Sequence, residues 1–306
     1  LAANAGFKLA EGFINLSGEY VRAKPTSRGA QRPDAQALIN AGNTAVPVPA
    51  QRWGNVNTEA ARFLLNAEMP ASDTATVYLF GNYAWSTGDT EFFYRNPVTR
   101  TDIFRSVPLT NQPGGRRFNF NTQFPGGFTP IFGTDIEDLS IAGGVRGELG
   151  DIRYDLSAIA AQNRVRYNLR NTVNPSLGPQ SPTRFNAGKV TQRETQFHAD
   201  FVYPLEIGLA EPPPAAFGAD YRRAAFEITA GDVASYIAGP FARVLDPDNN
   251  NLPIGLAVGS SGFPGYAPSS AGSWARSNWA AYVDVEGDLA DGLNLGVAGR
   301  FEDFSD

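Results

Sequence analysis

Four stretches of this 306-residue chain hold residue types and spacings that could do chemistry. His198, the single histidine, stands two residues before Asp200, so on an extended strand both side chains leave the same face, where a His–Asp pair can pass a proton. Arg116 and Arg117 sit near the start of the run GGRRFNFNTQFPGGFTPIF and precede Phe118, Phe120, Phe124, Phe128 and Phe132. Guanidinium donors among aromatic faces can grip a siderophore, a glycan or another planar anionic solute. SGFPGYAPSSAGSWAR repeats the theme with Phe263, Tyr266, Trp274 and Arg276. In LDPDNNNLP, Asp246, Asp248 and Asn250 have the alternate spacing of a calcium loop, yet Asn251 and Ala257 stand where that loop needs Gly and Glu.

Each stretch also has a plainer reading. His198 and Asp200 can be an ordinary polar pair on a wet face, the Asp246 stretch a solvated turn, and the Phe-rich run a long loop packed on itself. No Gly-rich phosphate loop, nucleophile elbow or paired-His metal motif occurs. Alternate carboxylates such as Asp284 and Glu286 come with any polar strand face. The expectation is a protein that binds and does not catalyse, with no metal and no cofactor. Its ligand-binding candidates are Arg116, Arg117, Phe118, Phe120, Phe124, Phe128, Tyr266, Trp274 and Arg276.

The elements that must position these residues announce themselves by a period of two. In TATVYLFGNYAW (74–85), Ala75, Val77, Leu79, Gly81, Tyr83 and Trp85 share one face, while Thr74, Thr76, Tyr78, Asn82 and Ala84 share the other. Twelve residues, with Tyr and Trp at one end of the apolar face, match a strand that crosses a bilayer. The pattern returns at 1–9, 13–22, 62–69, 139–149, 152–167, 195–203, 216–228, 278–289 and 293–301. It predicts ten strands in five hairpins. Connections near 10–12, 70–73, 150–151, 204–215 and 290–292 are short; those at about 23–61, 86–138, 168–194 and 229–277 are long and rich in Gly, Pro and Asn. Strict alternation of short turns and long loops is the asymmetry of an outer-membrane barrel, with the long loops extracellular.

Composition agrees by exclusion. Net charge is −6, which argues against a nucleic-acid partner, and the absence of Cys removes disulfides and thiolate metal sites. No run of 18 or more apolar residues is present to form a spanning helix, so a membrane crossing requires strands. The fold expected is all-β: a transmembrane antiparallel barrel, with residues 1–306 forming one partial barrel domain. If the tight turns are periplasmic, both termini of this segment face outward, which predicts further strands before and after it. A secreted β-sandwich would show the same alternation to bulk water.

Several stretches carry a resemblance. LAANAGFKLAEGFINLSGEYVRAKPTSRG (1–29), NTVNPSLGPQSPTRFNAG (171–188), AFGADYRRAAFEITAGD (216–232), GSSGFPGYAP (259–268) and RSNWAAYVDVEGDLADGLNLGVAGRFEDFSD (276–306) resemble the barrel region of TonB-dependent outer-membrane receptors. The resemblance implies a 22-stranded barrel in the outer membrane of a Gram-negative bacterium. It implies a plug domain ahead of Leu1, the rest of the barrel after Asp306, and import of a scarce extracellular solute driven by the inner-membrane TonB complex. Siderophores, cobalamin and glycans enter through the same fold, so the solute stays open. A passive porin or structural outer-membrane barrel is the other class of function the strand pattern allows.

Overall fold

The computed structural model describes residues 1–209, 211–290 and 292–305. Asp291 of the last expected turn, and the side chain of Leu289, lie outside the described residues. In chain order the strands are β1 (Ala2–Leu9), β2 (Gly12–Ala23), β3 (Asn57–Ser72), β4 (Ala75–Glu91), β5 (Val107–Pro108), β6 (Arg117–Phe118) and β7 (Ile131–Leu149). They continue as β8 (Ile152–Arg170), β9 (Arg184–Pro204), β10 (Pro214–Thr229), β11 (Val244–Asp246), β12 (Leu252–Ile254), β13 (Gly272–Ala290) and β14 (Leu293–Phe304). Short helices α1 (Pro33–Asn40), α2 (Thr101–Phe104) and α3 (Val233–Tyr236) lie in the long connections.

Ten strands form one antiparallel sheet in the order β1-β2-β3-β4-β7-β8-β9-β10-β13-β14. Consecutive long strands are neighbours throughout, the meander that the alternation of turns and loops predicts. β1 and β14 are the free edges, so the sheet is open. Pairs β5–β6 and β11–β12 are two-stranded ribbons in the loops. At the β7–β8 turn Gly150 takes φ +60°, which a residue with a Cβ adopts only under strain.

The register assigns every residue to a face. Val77 lies opposite Val145, which lies opposite Leu156 in turn. This apolar face continues through Phe7, Leu16, Phe63, Ile141, Phe197, Val283, Val297 and Phe301, all between 46% and 71% exposed. Large hydrophobic side chains left open over so many adjacent strands would aggregate in water, and they match a lipid-facing surface. On this face Phe197, Tyr221 and Trp279 stand directly opposite one another, with ring centroids 6.3 and 4.5 Å apart. Such a row fits the aromatic girdle at a membrane interface.

The other face is held together by cross-strand polar pairs. Arg62 bonds Glu19, Arg146 bonds Glu68, Tyr78 donates to Asp155, Arg222 bonds Glu194 and Tyr282 donates to Asp200. Arg62–Glu19 and Arg222–Glu194 join neighbouring strands, and the other three reach across an intervening strand, so each stabilises the sheet modestly and together they hold its register.

The strands run further than the hydrophobic pattern does. β7 begins at Ile131 where alternation predicts 139, and β9 begins at Arg184 where it predicts 195. Past the apolar belt the outward face turns polar while single apolar residues such as Phe132 and Phe185 face inward under the loops, so the regular period of the sequence is lost while the backbone ladder continues.

Candidate functional site

The candidate site is the loop end of the polar face, and three packing events build it. First, loop residues fold onto that face. Phe185 lies opposite Leu169 at the tops of β9 and β8, and both are buried with Ala187 beneath Phe92, Phe132, Tyr167 and Phe263. The long connections therefore close over the polar side of the sheet and leave the apolar side bare.

Second, the loops share a core of their own. Ile103, Phe104, Val107, Phe120, Phe128, Val173 and Leu256 are buried together, drawn from three separate connections, with Phe118, Phe124 and Phe241 packed against them. Phe120 is 0% and Phe128 1% exposed. Asn174, fully buried, donates from Nδ2 to the carbonyls of Ala234 and Ile237 and accepts from Gly259 N–H at Oδ1, tying two loops without an orphaned polar group.

Third, ion pairs and buried polar groups lock the rim. Arg117 reaches Asp246 with both guanidinium nitrogens, at 2.7 and 3.0 Å, and Asp248 at 2.8 Å, while Asp248 accepts Gly114 N–H at 2.6 Å. This bidentate geometry is the strong form of the carboxylate pair. The Arg117 guanidinium holds the Asp246 carboxyl below its ordinary range, and Asp246 pushes Arg117 up. Burial pushes the Tyr94 hydroxyl up to about 12 and lowers Arg95. Tyr94 donates to the carbonyl of Gly126, and Arg95 to Ser261 Oγ at 2.9 Å, which joins the second long connection to the last.

Because Asp246 is more acidic when folded, its stabilisation is complete above about pH 4, the ordinary Asp value, and fades as pH falls through its depressed value. Amide exchange in β5–β6 and β11–β12 is expected to be flat from neutral pH down to about 4, after correction for intrinsic rates, and to rise below it. Asp246→Asn should raise exchange at neutral pH and erase the acid step.

The predicted site residues divide. Phe120 and Phe128 are corrected from ligand contacts to core, because no surface of either ring is left for a solute. Phe118 and Phe124 pack against the same core, Phe124 with its centroid 4.6 Å from Phe128. Arg117 is committed to Asp246 and Asp248, the two carboxylates of the calcium-like spacing. Arg116 is exposed beside them. Tyr266 stands in a ring cluster that the Phe-rich run predicts only in part: Tyr167 and Phe263 each contact both Phe132 and Tyr266 and one another, with centroids 5.2 to 6.1 Å apart. Trp274 lies opposite Phe226 on the polar face, 53% exposed, and Arg276 two residues along caps the Phe304 ring at 4.1 Å.

The sequence missed Tyr167 and Phe226. Both lie at the outer ends of strands on the polar face, and an aromatic interrupting a polar stripe was the available signal.

His198 does not pair with Asp200. Its Nδ1 contacts Asp220, directly opposite on β10, at 2.6 Å, and its Nε2 contacts Gln196 at 2.8 Å, while Asp200 accepts from Tyr282. Cross-strand neighbours sit about 4.5–5.5 Å apart, closer than residues i and i+2 on one strand. Among the described residues no cluster of three or more metal-ligating side chains occurs, and no helix is long and apolar enough to cross a membrane.

No protein-family model matches the chain, and no curated protein matches it. Among solved structures, the chain is similar to the ferric-catecholate import receptor Fiu from Escherichia coli K12 in its closed form. The identity is 12% and the TM-score 0.39, over 97% of this chain and 42% of that one. The chain thus spans less than half the length of that structure.

Proposed function

We propose that this chain is part of the barrel of an outer-membrane receptor that captures a scarce extracellular solute and passes it to the periplasm. The observation that carries the reading is the loop cap. Long connections fold over the polar face around a dry core of their own, and aromatic rings line the same face beside them. A rigid cap over a polar lumen suits selective capture, where a passive porin needs an open channel.

In this reading the apolar face meets outer-membrane lipid, and further strands close the open edges, since unpaired backbone is not tolerated in hydrocarbon. The solute, of siderophore, cobalamin or glycan type, meets Tyr266, Trp274 and Arg276, together with Tyr167, Phe132 and Phe263. Energy comes from the inner-membrane TonB complex through a plug domain, as the sequence resemblance implies.

The test uses the intact outer-membrane protein in detergent, titrated with ferric siderophores, cobalamin and oligosaccharides while tryptophan fluorescence is followed. One solute class is expected to bind at micromolar concentration or tighter, and proteoliposomes are expected not to swell in small sugars. Replacing Tyr266 and Trp274 together by Ala should weaken that binding by tenfold or more, since one stacked ring is worth about 0.5–1.5 kcal/mol beyond its area. Swelling with no saturable binding would establish the porin instead.

A further inference from the structure

The last residues of the first long connection, 51–56, lie across the ends of β3, β4, β7 and β8 and enclose with them a cavity of about 450 Å³, within the range of small-ligand sites. Register puts its strand wall on the outward face. Asn57 lies opposite Asp89, and Ile131 lies opposite both Glu91 and Arg170, all on the side of Val77 and Val145. Asp89 stands four residues beyond Trp85 on β4, which at about 3.3 Å per residue and a tilt of about 40° is roughly 10 Å past the apolar belt. The sheet itself separates this cavity from Tyr167 and Trp274 on the polar face.

The loop wall is fixed before any ligand arrives. Thr26 N–H donates to the Asn55 carbonyl at 3.1 Å, and Asn55 N–H returns to Thr26 Oγ1 at 3.0 Å. Gly54 takes φ +151° next to them, and a Cβ there would stand 2.2 Å from the Thr26 carbonyl oxygen, so only glycine permits the approach. Trp53 packs against Gly29 and, at a centroid distance of 6.0 Å, against Phe93, yet stays 48% exposed.

The charges of the wall cancel in pairs. Arg170 reaches Asp89 with both terminal nitrogens, at 2.6 and 2.9 Å. Glu91 holds Arg52 by its backbone N–H at 2.6 Å and by its guanidinium at 3.6 Å. No net charge is left to draw an anion or a cation, but hydrogen-bonding capacity remains, since a carboxylate has lone pairs beyond those one Arg takes. Gln51 is 3% exposed and lines the cavity; its Oε1 accepts from Arg32 and from Tyr94 N–H, while its Nε2 donates to no group among the described residues. Asn55 and Asn57 add further amides to the lining. Donors and acceptors beside a half-exposed indole suit a neutral sugar ring, whose hydroxyls do both and whose C–H face stacks on an aromatic.

We propose that this cavity binds a neutral pyranose of an oligosaccharide, outside the lumen. The inference goes beyond the import reading and stands on the cavity alone. The sugar stacks on Trp53, accepts from the amides of Gln51 and Asn55, and donates to the paired carboxylates Asp89 and Glu91. It is held at the rim and is not the solute that passes through.

The test uses the intact outer-membrane protein in lauryldimethylamine oxide, a detergent without sugar. A soluble oligosaccharide and the end of a polymer offer the same chemistry, so binding is measured by calorimetry with free neutral oligosaccharides of glucose, galactose and mannose, and on an array of the same sugars coupled to a support. At least one is expected to bind saturably with a Kd of about 1 mM or tighter, from solution if the source is soluble and on the array alone if a polymer is required. Trp53→Ala should weaken binding by about tenfold, and Trp53→Phe should restore most of it. Asn55→Ala, at an exposed residue, should weaken it as well and covers the case where Trp53→Ala does not fold. Trp274→Ala should leave it unchanged. No binding by the wild type, or full binding in folded Trp53→Ala and Asn55→Ala, overturns the proposal. Binding lost in Trp274→Ala and kept in Trp53→Ala also overturns it, and assigns the sugar to the lumen as the imported solute, which leaves the import reading standing.

Discussion

Replacing Phe120 by Ala is expected to release the loop cap by about 3–5 kcal/mol, the range for removing a buried aromatic ring. Phe120 is 0% exposed and contributes to a core shared by connections that are otherwise separate in sequence, with Phe118 at a centroid distance of 4.9 Å. These loops have no continuous sheet to fall back on, so the cavity cannot be closed by small shifts of a scaffold. The readout is amide exchange at residues 101–128 and 233–260, expected to accelerate by roughly two to three powers of ten. Exchange in β8 and β9 should stay unchanged. Val98→Ala, at a 67% exposed position in the same connection, should fall within about 0.5 kcal/mol of wild type. Wild-type exchange in Phe120→Ala would mean that the shared loop core does not hold the cap down.

Val77→Arg is expected to destabilise the inserted protein by about 1–3 kcal/mol, between the costs of a cation at the interface and at the midplane of a barrel, because Val77 stands two residues into β4 from the short turn. Val77, Val145 and Leu156 lie opposite one another, so an Arg at Val77 is surrounded by side chains that offer no partner. Its neighbour Thr76 points to the other face and lies opposite Arg146, within reach of the carboxylates that line that surface. Thr76→Gln should therefore be tolerated, within about 0.5 kcal/mol. Urea titration of the protein in phospholipid vesicles measures both. Equal effects at the two positions would show that the apolar face is not in hydrocarbon, and spin labels at Val77, Leu156 and Val283 would then report full contact with water.

The strand count, the pairing order and the division into faces were legible because a sheet with one apolar and one polar face imposes alternation residue by residue. An apolar side chain at every second position is required wherever one face meets lipid, and Val77, Leu79, Tyr83 and Trp85 obey it without help from distant contacts. The upper thirds of β7 and β9 were not legible. There the inward residues Phe185 and Ala187 are covered by side chains from distant loops, and Gly188 and the shift of register between Tyr167 and Asn168 interrupt the alternation.

The candidate site divides along the same line. That the Phe-rich run and SGFPGYAPSSAGSWAR fall largely in long connections followed from their place between strands. Which rings would face the lumen did not follow, because Phe120 and Phe132 are alike in type and close in sequence. Phe120 is covered by Val107, Val173 and Leu256, whereas Phe132 stands at the start of β7 against Tyr167 and Phe263. Likewise His198 took Asp220 from the next strand over Asp200 from its own, since a sheet brings side chains closest across strands. The sequence by itself determined which side of each alternating stretch is apolar and which is polar, a property each residue satisfies locally. Only the tertiary structure decided which loop residues pack and which remain open to a ligand, because burial in loops comes from contacts between segments far apart in the chain.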